Sequence, residues 1–180
     1  MRIIIDTSVL VYIDRKDQKI IEIMKDLHKD HELYISTITI SEILTGSNLR
    51  RDAKKSVEKA KKLFSQIRWT SLDSQIAEKI GELNAYLISQ GKKIELPDVI
   101  ISATCLVNNL DVILTFNTKH FRYIPSLKFK TMTPLQLNII MKNSNSKNFN
   151  EITQKFLKFI DENDLEVENY EKFFSKFANK

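Results

Sequence analysis

The strongest constraint on the fold is a rhythm of short apolar runs separated by longer amphipathic stretches. Ile3 to Ile5 is unbroken hydrocarbon that stops at Asp6, Leu33 to Ile38 and Asp111 to Phe116 are further β-rich runs, and a last short strand is expected near Phe129 to Met132. A run that is apolar on every residue reads as a strand buried on both faces. Between these runs apolar residues recur at helical spacing: Ile20, Ile21, Met24 and Leu27; Ala53, Val57, Ala60, Phe64 and Ile67; Ile76, Ile80, Leu83 and Leu87, stopped by Gly91 at a C′ position. A helix is expected directly after Asp6. Another opens at Thr39-Ile40-Ser41-Glu42, which has the S/T-x-x-E form of a capping box. A third starts at Pro97 and runs to Val107, with Asp98 in its first turn. Strands alternating with helices of this length predict an α/β domain on a parallel sheet.

The chain of 180 residues has only three glycines, three prolines and one cysteine. So few turn formers argue against an all-β sandwich. Cys105 has no second cysteine to pair with, cysteine-built metal sites are excluded, and His28, His31 and His120 lack zinc spacing. Only three apolar residues separate Arg2 from Asp6, and nowhere do about 18 apolar residues run together, so neither a signal peptide nor a membrane span is expected. A reducing, cytoplasmic setting fits this composition.

The formal charge of +5 has a definite location. Between Arg50 and Arg68 eight basic residues stand against two acids, Asp52 and Glu58, which makes this one segment +6. Its lysines, Lys54, Lys55, Lys61 and Lys62 among them, fall off the apolar stripe of the helix. They form either a solvated face, a surface for an acidic protein segment, or a contact for RNA phosphates.

Open parallel sheets bind ligands beyond the carboxyl ends of their strands. Asp6 ends the first strand, Glu42 opens the helix after the second, Asp98 opens a later helix and Asn117 ends the third strong strand. Each acid also has a plain structural reading, as N-cap, capping-box partner or first-turn helix-dipole residue. Together they point elsewhere, because three carboxylates in one cleft repel and raise each other's pKa unless a cation joins them. Mg²⁺ or Mn²⁺ suits such oxygen ligands and shares its remaining positions with water and phosphate. Other phosphate chemistries fail on the same residues. Neither a P-loop nor a dinucleotide fingerprint is present, and Ser8 stands where a D-x-D-x-T phosphatase needs its second acid.

In order and spacing, IIIDTSVLVYI (Ile3 to Ile13), ITISEILTG (Ile38 to Gly46), LPDVIISATCL (Leu96 to Leu106) and ILTFNTKHFRYIPSL (Ile113 to Leu127) resemble the PIN-domain nucleases, and within them the VapC-like toxins. The resemblance covers the first 134 residues or so. It implies a three-layer PIN-like fold with a mostly parallel sheet flanked by helices. It also implies a metal site from Asp6, Glu42 and Asp98, with Asn117 at the family's fourth acidic position and the hydroxyls of Ser8 and Thr115 beside it. Asn117 departs from the acidic pattern: it can ligate through its carbonyl oxygen or orient a water, but it brings no charge. His120 is close enough in sequence to contact a phosphate or a leaving group.

The implied activity is Mg²⁺- or Mn²⁺-dependent endoribonuclease action on single-stranded or looped RNA, as the toxin of a toxin–antitoxin pair, with a protein antitoxin and a second copy of the chain as partners. Two alternatives are an RNA-binding or regulatory PIN-like module and a housekeeping RNA-processing nuclease. The organisation expected is a nuclease domain over 1–141, a linker over 142–150 rich in Asn, Ser and Lys, and a helical extension over 151–180. In that extension Tyr170, Phe173, Phe174 and Phe177 place four aromatic rings at helical spacing. Rings so grouped need a cover: their own domain, a second copy of the chain or, third, another partner.

Overall fold

The computed structural model describes residues 1–128, 130–143, 151, 153–155 and 158. In chain order the described elements are β1 (Arg2–Ile5), α1 (Thr7–Asp14), α2 (Gln18–Asp30), β2 (Glu32–Ser36), α3 (Thr37–Asn48), α4 (Ala53–Phe64), β3 (Arg68–Thr70), α5 (Ser74–Ser89), α6 (Leu96–Val107), β4 (Val112–Leu114), α7 (Thr118–Arg122), β5 (Thr131–Met132) and α8 (Pro134–Asn143). The five strands form one sheet in the order β3-β2-β1-β4-β5, with every pair parallel.

Alternation along the central strands builds two cores. Ile3, Ile5, Val112 and Leu114 point into a cluster with α1, α2, α4 and α8, whereas Ile4 and Ile113 point the other way, toward α5 and α6. These six side chains are at most 1% exposed, which explains why the two strands carry no polar alternation. The result is a three-layer α/β/α fold. Chain order leaves β1 toward β2 and β3 on one side and returns to β4 and β5 on the other, so the switch point lies between β1 and β4. There the backbone amide of Asp6 donates to Leu114 O at 2.9 Å.

Four expectations need correction. Helix α3 opens at Thr37 with Ser36 as its N-cap, not at a capping box starting from Thr39. Strand β2 ends at Ser36, whose own hydroxyl accepts from Ile38 N, and Thr39 is left fully buried in the first turn. The basic helix stops at Phe64, and Arg68–Thr70 forms the unforeseen edge strand β3. The residues after Asn117, expected as a polar turn, form the short helix α7. Finally, α8 continues through Lys142 and Asn143, the first two residues assigned to the linker. Phe129 and the aromatic residues 170–177 lie outside the described residues. Among those described, no helix is long and apolar enough to cross a membrane.

Candidate active site

The site grows from the ends of β1 and β4. Asp6 is the first residue after β1 and the N-cap of α1, accepting from Ser8 N at 3.3 Å, so its capping role is real. The same oxygen, Oδ2, also accepts the Ser8 hydroxyl at 2.5 Å and the Thr115 hydroxyl at 2.7 Å. Those hydroxyls are aimed by the backbone: the Phe116 amide donates to Ser8 Oγ at 3.0 Å and the Asn117 amide donates to Thr115 Oγ1 at 2.8 Å. Each hydroxyl thus accepts a hydrogen bond from the backbone and donates one to Asp6, a chain in which each bond polarises the next.

Glu42 sits in the second turn of α3, facing α1, and its Oε2 accepts the Thr7 hydroxyl at 2.5 Å. Burial pushes its carboxyl above the ordinary range, and the charges of Asp6, Asp98 and Glu95 push it further. Asp98, 8% exposed in the first turn of α6, pairs through Oδ2 with His120 Nδ1 at 2.7 Å. Burial raises its carboxyl as well, the His120 hydrogen bond opposes this, and Asp6 and Glu95 again add to it. Asp6 and Asp98 both repel a charge on Glu42, and Asp6 repels one on Asp98, so the three acids feel one another although their sequence positions are far apart. Glu95, which sequence reasoning missed, contributes to both. It is the N-cap residue of α6, and its signal was its position just before Leu96 and Pro97.

The structure does not bring all the expected residues together. Asn117 is exposed, and only its backbone amide enters the network; its side chain makes no hydrogen bond among the described residues. The side chain that reaches an acid from this turn is His120. Lys54, Lys55, Lys61 and Lys62 lie on the exposed side of α4. The basic residues that share a cavity with Glu42 are instead Arg50 and Lys59, both paired with Asp14. With Thr7, Asp14 and Glu42 they line a cavity of about 200 Å³ between α1, α3 and α4. Cys105 is buried in the core, which pushes its thiol up to about 12 and removes it as a nucleophile.

Carboxylate oxygens are the donor type that a hard cation takes. In each of Asp6, Glu42 and Asp98 one carboxylate oxygen is engaged, and the other has no hydrogen-bond partner among the described residues. Among the described residues no three His, Cys, Asp or Glu side chains stand close enough together, as they lie, to hold a metal ion between them. An open set of carboxylates is nevertheless how Mg²⁺ is held, since it keeps several of its waters.

The PIN-domain family model matches residues 3–126. The chain belongs to the PIN-domain family. A protein described as Ribonuclease VapC, from Rickettsia bellii (strain RML369-C), is 30% identical over 138 residues, covering 73% of this chain and 97% of that protein. The PIN fold recurs in two solved structures. VapBC2 from Rickettsia felis, bound to a DNA fragment from its promoter, has a TM-score of 0.68 at 22% identity and covers 74% of this chain and 98% of that one. A toxin–antitoxin complex from Klebsiella pneumoniae has a TM-score of 0.58 at 24% identity and covers 73% and 96%.

Proposed function

We propose that this PIN domain is a Mg²⁺- or Mn²⁺-dependent endoribonuclease, the toxin of a toxin–antitoxin pair. What supports the reading is that Asp6, at the β1/β4 switch point, adds by its charge to the raised carboxyls of Glu42 and Asp98, and that each of the three keeps one carboxylate oxygen without a hydrogen-bond partner among the described residues. The ribonuclease name of the 30% identical relative supports the choice of RNA, and the toxin–antitoxin complex of the same fold supports a protein partner. A homodimer and a cytoplasmic location belong to the same proposal, the first tested by mass in solution.

Asp6, Glu42 and Asp98 would hold the ion. A divalent ion so placed supplies an activated water and offsets negative charge developing on the phosphate oxygens. The chain's own part is positional. Ser8 and Thr115 fix the orientation of Asp6, Thr7 fixes Glu42, and His120 holds Asp98. The Asn117 amide locks the Thr115 hydroxyl, so residue 117 serves the site through its backbone whatever its side chain carries.

The test is cleavage of RNA with and without Mg²⁺, with analysis of the ends produced. Hydrolysis by water leaves a 5′-phosphate and a 3′-hydroxyl and does not use the ribose 2′-hydroxyl. A 2′,3′-cyclic phosphate, or full activity in EDTA, defeats the mechanism. Binding of RNA without cleavage in any divalent ion favours the RNA-binding module instead.

A further inference from the structure

Beside the acids stands an aromatic pair that hydrolysis does not require. The rings of Tyr12 and Phe116 have centroids 4.2 Å apart and planes inclined by 31°. That is the geometry of a tilted ring contact. Both rings are tied to the crevice. Tyr12 follows Ser8 by four residues on α1, so the two side chains share a face, about 6 Å apart along the helix axis. Phe116 comes from the other wall, and its amide donates to the same Ser8 hydroxyl that donates to Asp6. The pair therefore sits about one helical turn from Ser8, whose hydroxyl donates to the Asp6 carboxylate.

Packing alone does not account for Tyr12. Its neighbours on α1, Val9 and Leu10, are buried, whereas Tyr12 is 37% exposed. Its hydroxyl has no hydrogen-bond partner among the described residues, so no polar contact explains the outward position. What Phe116 does is back the ring and limit its motion. An ordered ring at the edge of a phosphodiester site is the element that proteins use to take up unpaired bases, because every base has a π-face and stacking needs no particular sequence.

We propose that Tyr12, backed by Phe116, is a stacking platform for one unpaired nucleobase next to the scissile phosphate of RNA. This rests on the nuclease reading and names a subsite within it. The platform selects for strandedness, not sequence: a base inside a duplex already stacks on its neighbours and must be unstacked before it can reach the ring. Loops and single strands present such a base without that cost.

The test is a cycle between protein and RNA. Cleavage rates, as kcat/KM, are measured on short single-stranded and hairpin-loop RNAs, each carrying one abasic ribose at a successive position. The proteins are wild type, Tyr12→Ala, Tyr12→Leu and Tyr12→Phe. Leu keeps an apolar group against Phe116 but lacks a π-face, and Phe keeps the ring. Stacking predicts a loss of about tenfold for the Ala and Leu variants on intact RNA and rates near wild type for Phe. It also predicts that the abasic site at one position slows wild type but has no added effect on Tyr12→Leu. Additive losses at every position, or a Leu variant as fast as wild type, overturn the platform and leave the nuclease reading standing. Failure of wild type to cut any RNA in the panel overturns both.

Discussion

Helix α1 carries an acid at each end, and the two acids are treated in opposite ways. At its C-terminal end Asp14 takes Lys59 Nζ at 2.9 Å and the guanidinium of Arg50. Burial alone would raise its carboxyl, but these hydrogen bonds and charges outweigh it and hold Asp14 below its ordinary range. At the N-terminal end Asp6 faces Glu42 and Asp98, which are raised, and the groups that hold the three acids are hydroxyls and one imidazole. No lysine or arginine is paired with them among the described residues. A basic segment of +6 lies close enough to line the same cavity as Glu42, yet it spends its nearest cations on Asp14. The difference separates an acid paired with cations of its own chain from acids that have no lysine or arginine partner among the described residues.

The sharpest way to break this contrast is at Asp98. Asp98→Asn should reduce RNA cleavage by about 10²- to 10³-fold, the order expected when one charge-stabilising group is lost. Without divalent ions it should melt no lower than wild type, because it removes one of three repelling charges. Equal stabilisation of both proteins by Mg²⁺ would show that the carboxylates do not form the site. Thr115→Val is the milder version. It deletes the hydroxyl that steers Asp6 while keeping the shape, and cleavage should fall about 10- to 100-fold with Mg²⁺ affinity falling alongside. Unchanged affinity for Mg²⁺ in a calorimetric titration would separate Asp6 from the metal.

The basic face tests the other half. Changing Lys54, Lys55, Lys61 and Lys62 together to Ser should weaken RNA binding equally across sequences. It should also flatten the log–log salt slope by up to about 3 if all four meet phosphates. An unchanged slope makes them a solvated face. The smallest effects concern stability. Asp14→Asn should cost less than about 1 kcal/mol in a denaturant melt, since its partners are largely solvated. The two ends should also respond oppositely to pH. A depressed carboxyl such as Asp14 adds stability that is present above its unfolded pKa and is lost as pH falls through the folded value. Raised carboxyls such as Glu42 and Asp98 do the reverse. Without metal, their unfavourable effect is absent below the ordinary carboxylate range and grows as pH rises through the raised values. Melts from acid to neutral pH should therefore show a decline that Mg²⁺ removes and that Asp98→Asn reduces.

The elements legible in the sequence were those with a strong local period. After Arg2, β1 is apolar on every residue, as β4 is throughout, because the sheet is covered on both sides, and Asp6, Glu42 and Asp98 stood out because such strands and their following helices expose few polar groups. Hidden features were those decided between distant residues. Thr39 and Ser36 are both able to cap a helix, and the end of β2 selects Ser36. The three-residue β3 is too short for a period and follows a helix whose apolar stripe runs on into Ile67. Nothing local marks Arg50 and Lys59 as partners of a residue 36 and 45 positions away, nor His120 as the partner of Asp98.

The bond from Thr115 to Asp6 joins residues 109 apart in sequence. It also sets a schedule. As the chain is synthesised, β1 emerges first and must wait for nearly two-thirds of the protein before its partner strand exists. Parallel pairing over that span is slow to form. Until β4 docks, Asp6 has neither the Thr115 hydroxyl nor the second wall of the crevice. A nascent or truncated chain that ends before β4 therefore lacks the contact that orients Asp6, and the arrangement around that carboxylate arrives only as the sheet closes.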